Sequence, residues 1–340
     1  MKFSICLPTG FEGVMHPIPF VEATDFVPLA RLCERLGYDG VWGNDHITTQ
    51  DYVKRKFPGK TPRFYELMTV LSFCAAATTR LRVGTAVAVL PIRDPLWLAK
   101  QAATLDAMSG GRLDLGVGVG AYREEFTAWA PPHLRRGAHR GAMVDESLAM
   151  LDALLSAREA DGPVSFEGRY YACRDIAFAP RPAQDPLPLY VGGHNLAAVE
   201  RAARWGRGWL PGWRPHEELA ARIALLREKA AALGRDPAEI EVAPQFSVTV
   251  ARTMEEAEAC YMASDLVAHR ISLAYTGRDL SKQVVANLVG SPDVIREKVA
   301  ALAAIGVQHC CGLMVPADTL SEFHDQVAWF AEVVGLPAGG

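Results

Sequence analysis

Five consecutive residues, Trp42-Gly43-Asn44-Asp45-His46, put a stacking ring, an amide, a carboxylate and an imidazole side by side, the densest group of proton donors and acceptors in the chain. Imidazole changes charge near neutrality, so His46 is the leading candidate for proton transfer. A lone histidine at a strand end also serves as a plain hydrogen-bonded structural residue. A second group, Val191-Gly192-Gly193-His194-Asn195, runs directly into the helical pattern Leu196–Trp205. Its two glycines permit close approach, Asn195 caps the helix, and the amides at the positive end of the helix dipole favour a phosphate. A well-capped loop without a ligand reads equally well. Gly116, Gly118 and Gly120 with Ala121 spell G-x-G-x-x-A, the dinucleotide fingerprint. That reading is rejected: the motif follows three βα units, and about 20 residues on, where an acidic ribose ligand belongs, stand Ala138, His139 and Arg140. Backbone packed against a planar ring accounts for these glycines better.

Other chemistries lack their residues. His16, His46, His133, His139 and His194 show neither HxH nor HExxH spacing, and the first strand ends Leu7-Pro8-Thr9-Gly10, so no metal is expected. A GxSxG nucleophile elbow is missing. Arg93, Asp94, Glu124, Glu125, Arg135, Arg136 and Arg140 flank the candidate site and read mostly as solvated or helix-capping charges. The seven cysteines lack CxxC spacing, which fits reduced thiols and a cytoplasmic location. Cys310 and Cys311 are adjacent in a strand pattern and point to opposite faces, so they do not chelate together. A net charge of −4 argues against a nucleic-acid partner. The stretch before Pro8 reads as a first strand, not a signal peptide, and no apolar run is long enough to span a membrane.

These residues need a scaffold that gathers strand ends. Strand-like runs recur at Phe3–Pro8, Gly40–Asn44, Leu81–Val89, Leu113–Val119, Leu187–Gly192, Gly208–Gly212, Ile240–Val250 and Gln308–Val315. Helical patterns alternate with them at Asp25–Leu36, Glu66–Thr78, Leu96–Met108, Ala142–Ser156, Leu196–Trp205, Pro215–Leu233, Pro292–Ala304 and Leu320–Val334. Strict alternation implies a parallel sheet, and eight strands favour an α/β fold of the closed (β/α)8 TIM-barrel type over an open doubly wound sheet. With 29 Gly and 22 Pro among 340 residues, half of them apolar, a single barrel domain over 1–340 is expected. Two insertions interrupt the repeat: an arm or strand pair at about 156–186 before the fifth strand, and a candidate lid at about 266–288 before the eighth. Chemistry in such a barrel sits at the carboxyl ends of the strands, where the groups above fall.

The motifs together resemble the bacterial luciferase-like superfamily, barrel oxidoreductases that use reduced FMN or the deazaflavin coenzyme F420. The resemblance is carried by YDGVWGNDH (Tyr38–His46), RVGTAV (Arg82–Val87), DPLWLAKQAATLDAMSGGRLDLGVGVG (Asp94–Gly120), REEF (Arg123–Phe126), and LYVGGHN with WGRGWLPG (Trp205–Gly212). It implies that Asp45 and His46 sit beside the reactive edge of the ring, His46 as hydrogen-bond donor or proton shuttle. Gly84, Thr85, Ala86, Val87 and Ala88 would lie along one ring face, Gly116, Val117 and Gly118 would approach from the next strand, and Gly192, Gly193, His194 and Asn195 would take the cofactor phosphate. Phe11, Trp42, Tyr122 and the 266–288 segment would line the substrate side. Two activities follow from the resemblance: hydride transfer with F420, or monooxygenation with FMNH2 from a separate reductase and O2, inserting one oxygen into a small organic substrate. The apolar residues Ala88, Val89 and Leu90 after the third strand lean toward FMNH2. A non-catalytic flavin-binding accessory protein is the alternative of another class. The resemblance also implies a homodimer, with helix Leu96–Met108 available for the contact.

Overall fold

The computed structural model describes residues 1–129, 139–156, 162–273 and 279–338. Eight parallel strands form the barrel: β1 (Lys2–Leu7), β2 (Gly40–Gly43), β3 (Arg82–Thr85), β4 (Leu113–Gly118), β5 (Leu189–Gly192), β6 (Gly208–Leu210), β7 (Glu241–Val242) and β8 (His309–Leu313). Their order around the sheet is β7-β6-β5-β4-β3-β2-β1-β8. The seam between β7 and β8 carries backbone hydrogen bonds from Gln308 N–H to Val242 O (3.0 Å), Cys311 N–H to Pro244 O (3.0 Å) and Met314 N–H to Phe246 O (2.9 Å). The (β/α)8 architecture read from the sequence is therefore the one observed, as a nearly closed barrel.

The strands are apolar on both faces because both are covered. Outward residues such as Val41, Val83 and Leu115 join the core beneath the helices, while Trp42, Tyr190, Leu210, Ala243 and Cys311 fill the interior. The helices that cover the barrel are α1 (Phe26–Arg35), α2 (Leu67–Ala76), α3 (Pro95–Ser109), α4 (Arg140–Ser156), α5 (Leu196–Trp205), α6 (His216–Ala232), α7 (Pro292–Ala304) and α8 (Leu320–Val333). Helix α3 shows why the sequence starts and stops where it does. The Asp94 carboxylate accepts the Leu96 and Trp97 amides, Pro95 takes the first turn, and Gly110 ends the helix at φ 69°.

Two runs read as single strands are broken. Leu81–Val89 divides into β3 and a short strand, Ala88–Val89, which pairs with Val117 and Gly118 of β4; between them the Ala86–Val87 peptide is cis. Ile240–Val250 divides at Pro244, which has no N–H for a ladder. Its second half, Val248–Val250, pairs with Leu288–Gly290.

In the 156–186 insertion, Val164–Glu167 and Ala172–Ile176 form an antiparallel hairpin, while 157–161 lie outside the described residues. The 266–288 segment contains most of a helix, Asp265–Ser272, and a single turn, Leu280–Lys282, with 274–278 outside the described residues. His133, Arg135 and Arg136 also lie outside them.

Candidate active site

At the carboxyl end of the barrel a cavity of about 190 Å³ is bordered by Phe11, Asn44, Asp45, His46, Ala86 and Val87 from the early strand exits. Tyr122, Trp213, Gln245 and Met314 come from later exits, and His269 and Arg270 from the helix Asp265–Ser272. The first two strand exits are tied together beneath it. Thr9 Oγ1 accepts the Asn44 N–H (3.0 Å) and donates to Asn44 Oδ1 (2.6 Å), and Asn44 Nδ2 donates to Gly10 O (3.1 Å).

His46 is held from two directions. Its Nδ1 lies 3.1 and 3.2 Å from the two carboxylate oxygens of Glu125, and its ring stacks on Tyr122 with centroids 4.1 Å apart and planes 5° from parallel. Glu125 has 0% side-chain exposure and also accepts the Ile47 N–H (2.9 Å). A buried carboxylate on Nδ1 fixes the ring and leaves Nε2 as the position for chemistry. This corrects the sequence reading of Glu125 as a solvated or capping charge: the REEF helix turns it inward, 79 residues from its partner. No local signal in the sequence pairs them.

Asp45 borders the same cavity but is committed elsewhere. Its oxygens take a bidentate pair from Arg93, Nε at 2.6 Å and Nη2 at 2.7 Å, and Oδ2 also accepts the Val89 N–H (2.9 Å). Arg93 in turn reaches Glu66 (3.0 Å). Burial works against the guanidinium charge, but Asp45 and Glu66 outweigh it and hold the Arg93 pKa above its ordinary value. Asp45 therefore anchors the Ala88–Val89 strand that backs the cavity, and Arg93, read as a solvated charge, is its half-buried counter-ion.

The glycines serve the chain itself. A Cβ on Gly84 would run into the Trp42 indole, and one on Gly116 into the Thr85 carbonyl. Cβ atoms on Gly118 and Gly192 would each come within 2.7 Å of a Val87 methyl. These glycines make room for Trp42 and for the irregular β3 exit, and that exit, at Ala86 and Val87, is what borders the cavity. Thr85 is buried, its hydroxyl donating to Gly116 O (2.6 Å), and Val117 is in the core. Trp42 is 0% exposed and packs on Tyr190 with centroids 5.2 Å apart. It fills the barrel interior beneath Ala86 and is not part of the cavity wall.

The Gly192–Asn195 loop stands at the same barrel end, outside the cavity lining. Asn195 caps α5, its side chain accepting the Ala198 N–H (2.9 Å). Gly193 adopts φ 118°; its N–H goes to Leu210 O (3.1 Å), and its carbonyl accepts from Trp209 Nε1 (2.9 Å). The Gly193 amide is thus spent on the sheet.

Sequence reading missed Gln245, while Arg270 falls within the 266–288 segment read as lining the substrate side but was not singled out. Gln245 Nε2 donates to Gly312 O (3.0 Å), and Arg270 lies over the Trp213 ring at 5.0 Å and donates to Ser247 and Asn287. Neither stands in a motif, and both reach the site only through closure of the barrel between β7 and β8.

Comparison with known proteins supplies relatives for this arrangement. A family model described as luciferase-like monooxygenase matches residues 1–309. The chain is 28% identical over 307 residues to an FMNH2-dependent dimethylsulfone monooxygenase of Pseudomonas putida, covering 82% of this chain and 79% of that one. It is 30% identical over 228 residues to an F420-dependent glucose-6-phosphate dehydrogenase of Beutenbergia cavernae, covering 66% and 64%. A monooxygenase structure from Streptomyces bottropensis superposes with a TM-score of 0.76 at 25% identity over 98% of each chain.

Proposed function

The chain belongs to the luciferase-like monooxygenase family, whose members use FMN or F420, and from that premise we propose that it is an FMNH2-dependent monooxygenase acting on a small organic substrate. The observation that carries this reading is the composition of the cavity wall. Ala86, Val87 and Val89 offer an apolar surface, with Asn44, Asp45 and His46 beside it and Gln245, His269 and Arg270 elsewhere in the lining. A cavity of about 190 Å³ suits a planar ring and little more, so the remainder of a cofactor would extend along the rim. Ala86 and Val87 would support the ring, Asn44 and His46 would meet its polar edge, and the first turn of α5 with His194 and Asn195 would receive a phosphate. Reduced FMN, when bound, supplies the electrons that activate O2. The apolar wall limits water at that surface. His46, fixed by Glu125 and Tyr122, donates or removes a proton through Nε2, and Asp45 keeps the strand behind the ring in place through Arg93.

F420-dependent hydride transfer is the second reading, supported by the similarity to the glucose-6-phosphate dehydrogenase. The deciding experiment is anaerobic titration of the protein with FMNH2 and, separately, with reduced F420, followed by admission of O2. FMNH2 binding with oxygen uptake coupled to substrate oxidation supports monooxygenation. Selective binding of reduced F420 without oxygen uptake replaces it with hydride transfer, flavin binding without turnover fits the accessory class, and binding of neither points to a cofactor-free role. Monooxygenation would require a separate reductase as partner. The exposed Trp97 and Met108 on α3, with Phe73 on α2, support a homodimer through that side.

A further inference from the structure

The geometry points to a proton relay, Tyr122–His269–Tyr52, that joins the reaction cavity to an outer basin on the protein surface. His269 stands between two spaces. Inward, it and Tyr122 border the cavity of about 190 Å³. Outward, Tyr52 lines a basin of about 580 Å³ together with Gln50, Arg123 and Ser272. The two ring nitrogens of His269 face opposite ways: Nε2 lies 3.3 Å from Tyr122 Oη, and Nδ1 lies 3.0 Å from Tyr52 Oη. His269 is 7% exposed, so this path runs through protein.

The chemistry of the three groups suits the task. Imidazole accepts a proton at one nitrogen and releases one from the other, and a phenol hydroxyl both accepts and donates. Outward transfer begins as Tyr122 Oη gives its proton to Nε2 and takes one from the cavity. The Nδ1–H then passes to Tyr52 Oη, whose own proton goes to water in the basin. Each N–H or O–H bond formed replaces one broken, no electrons move, and His269 is left as its other tautomer until reorientation of the imidazole and the two hydroxyls resets the chain. Asp265 and Glu124 are the acids that act on Tyr52, and burial, the largest influence, raises its phenol pKa, so the hydroxyl stays protonated at neutral pH.

His46 shows why such a path has a use. Its Nδ1 is closed off by Glu125, a side chain with no exposure, so a proton taken at Nε2 cannot leave by that side. Tyr122, stacked on His46 at 4.1 Å, begins the relay beside it. The inference rests on the reading that this cavity is the reaction site. It holds for either cofactor, because reducing an oxygen atom to water consumes protons and removing hydride from an alcohol releases one.

Two measurements test it on the full-length protein. The first uses 15N-histidine labelling, with His269 assigned by its loss in His269→Gln. Tyr52→Phe should move the Nδ1 resonance and Tyr122→Phe the Nε2 resonance; if neither moves, the hydrogen-bonded chain does not exist. The second mixes FMNH2-loaded protein with O2 in weak buffer containing a pH indicator. Tyr52→Phe, outside the cavity, should slow proton exchange about tenfold with FMNH2 affinity unchanged, and added imidazole should restore the rate in His269→Ala. Proton exchange at the wild-type rate in both variants overturns the relay. Failure of FMNH2 and of reduced F420 to bind would instead overturn the functional reading, and the 15N result would still decide whether the chain of hydrogen bonds is real.

Discussion

Two histidine–glutamate pairs occupy opposite ends of this barrel, and they differ in what the second edge of the imidazole meets. At the amino ends of β1, β7 and β8, His309 has Nδ1 3.0 Å from Glu241 and Nε2 2.8 Å from Ser4 Oγ. Both ring nitrogens face protein groups, Nε2 in a hydrogen bond and Nδ1 in a close ion-pair contact, and His309 is 3% exposed. At the carboxyl end, His46 has Nδ1 3.1 Å from Glu125 but turns its other edge toward a cavity. An imidazole enclosed by protein groups on both edges can only hold strands together. One saturated on a single side is both aimed and available.

The sharpest way to break the comparison is His46→Ala. Removing a general acid or base costs about 10²- to 10⁴-fold in turnover, with cofactor binding retained. Turnover measured beside cofactor affinity decides the matter: wild-type turnover with intact binding would show that His46 is as structural as His309.

The lower pair should respond to acid instead. Burial opposes ionisation of Glu241, but His309 and Lys2 outweigh it and hold its carboxyl at about 2, below the ordinary 4.5. A folded pKa depressed in this way contributes stability that is full above pH 4.5 and lost as pH falls toward 2. A shift of this size corresponds to about 3 kcal/mol. Glu241→Gln should remove about that much near neutrality and flatten the fall in melting temperature between pH 5 and 2, with turnover unaffected. A melting profile that keeps its acid slope would assign the slope to other carboxylates.

Ser4→Ala tests the closed end more gently. Ser4 Oγ contacts His309 Nε2 and accepts the Gly312 N–H (3.0 Å), so truncation leaves two buried polar groups without that partner. The expected loss is about 2 kcal/mol in denaturant unfolding.

The contrast also explains what the sequence discloses. Eight barrel strands are legible because parallel strands covered on both faces are continuous apolar runs, and the helices because caps such as Asp94 and Asn195 mark their starts. The breaks at Ala86–Val87 and after Val242 are less visible, since apolar composition continues through both; Pro244 was the one local sign of the second. At the site, Asp45 and His46 stand out because they follow a strand in a barrel. Their partners do not. Arg93, in the link before a helix, and Glu125, on a short helix, look like any surface charges until the fold pairs them, and Trp42 looks like a ligand-stacking residue until Gly84 on the neighbouring strand makes room for it inside the barrel. Local composition shows which end of the barrel carries chemistry, while the division of labour there depends on contacts separated by 48 and 79 residues.

Glu125→Gln gives the smallest effect and separates two roles within the upper pair. Glu125 Oε1 accepts from Ile47 N–H (2.9 Å) and faces His46 Nδ1 (3.1 Å), so a glutamine oxygen in that place keeps both contacts and removes only the charge. A charge-assisted hydrogen bond is about twice as strong as a neutral one, and its loss should lower turnover about tenfold, near 1.4 kcal/mol, with cofactor affinity and melting temperature close to wild type. Glu125→Ala removes both contacts and should fall further. If the glutamine variant matches wild type while the alanine variant fails, Glu125 acts by aiming the ring. Equal losses in both would mean that its negative charge, acting on the protonated ring, is the whole of its contribution.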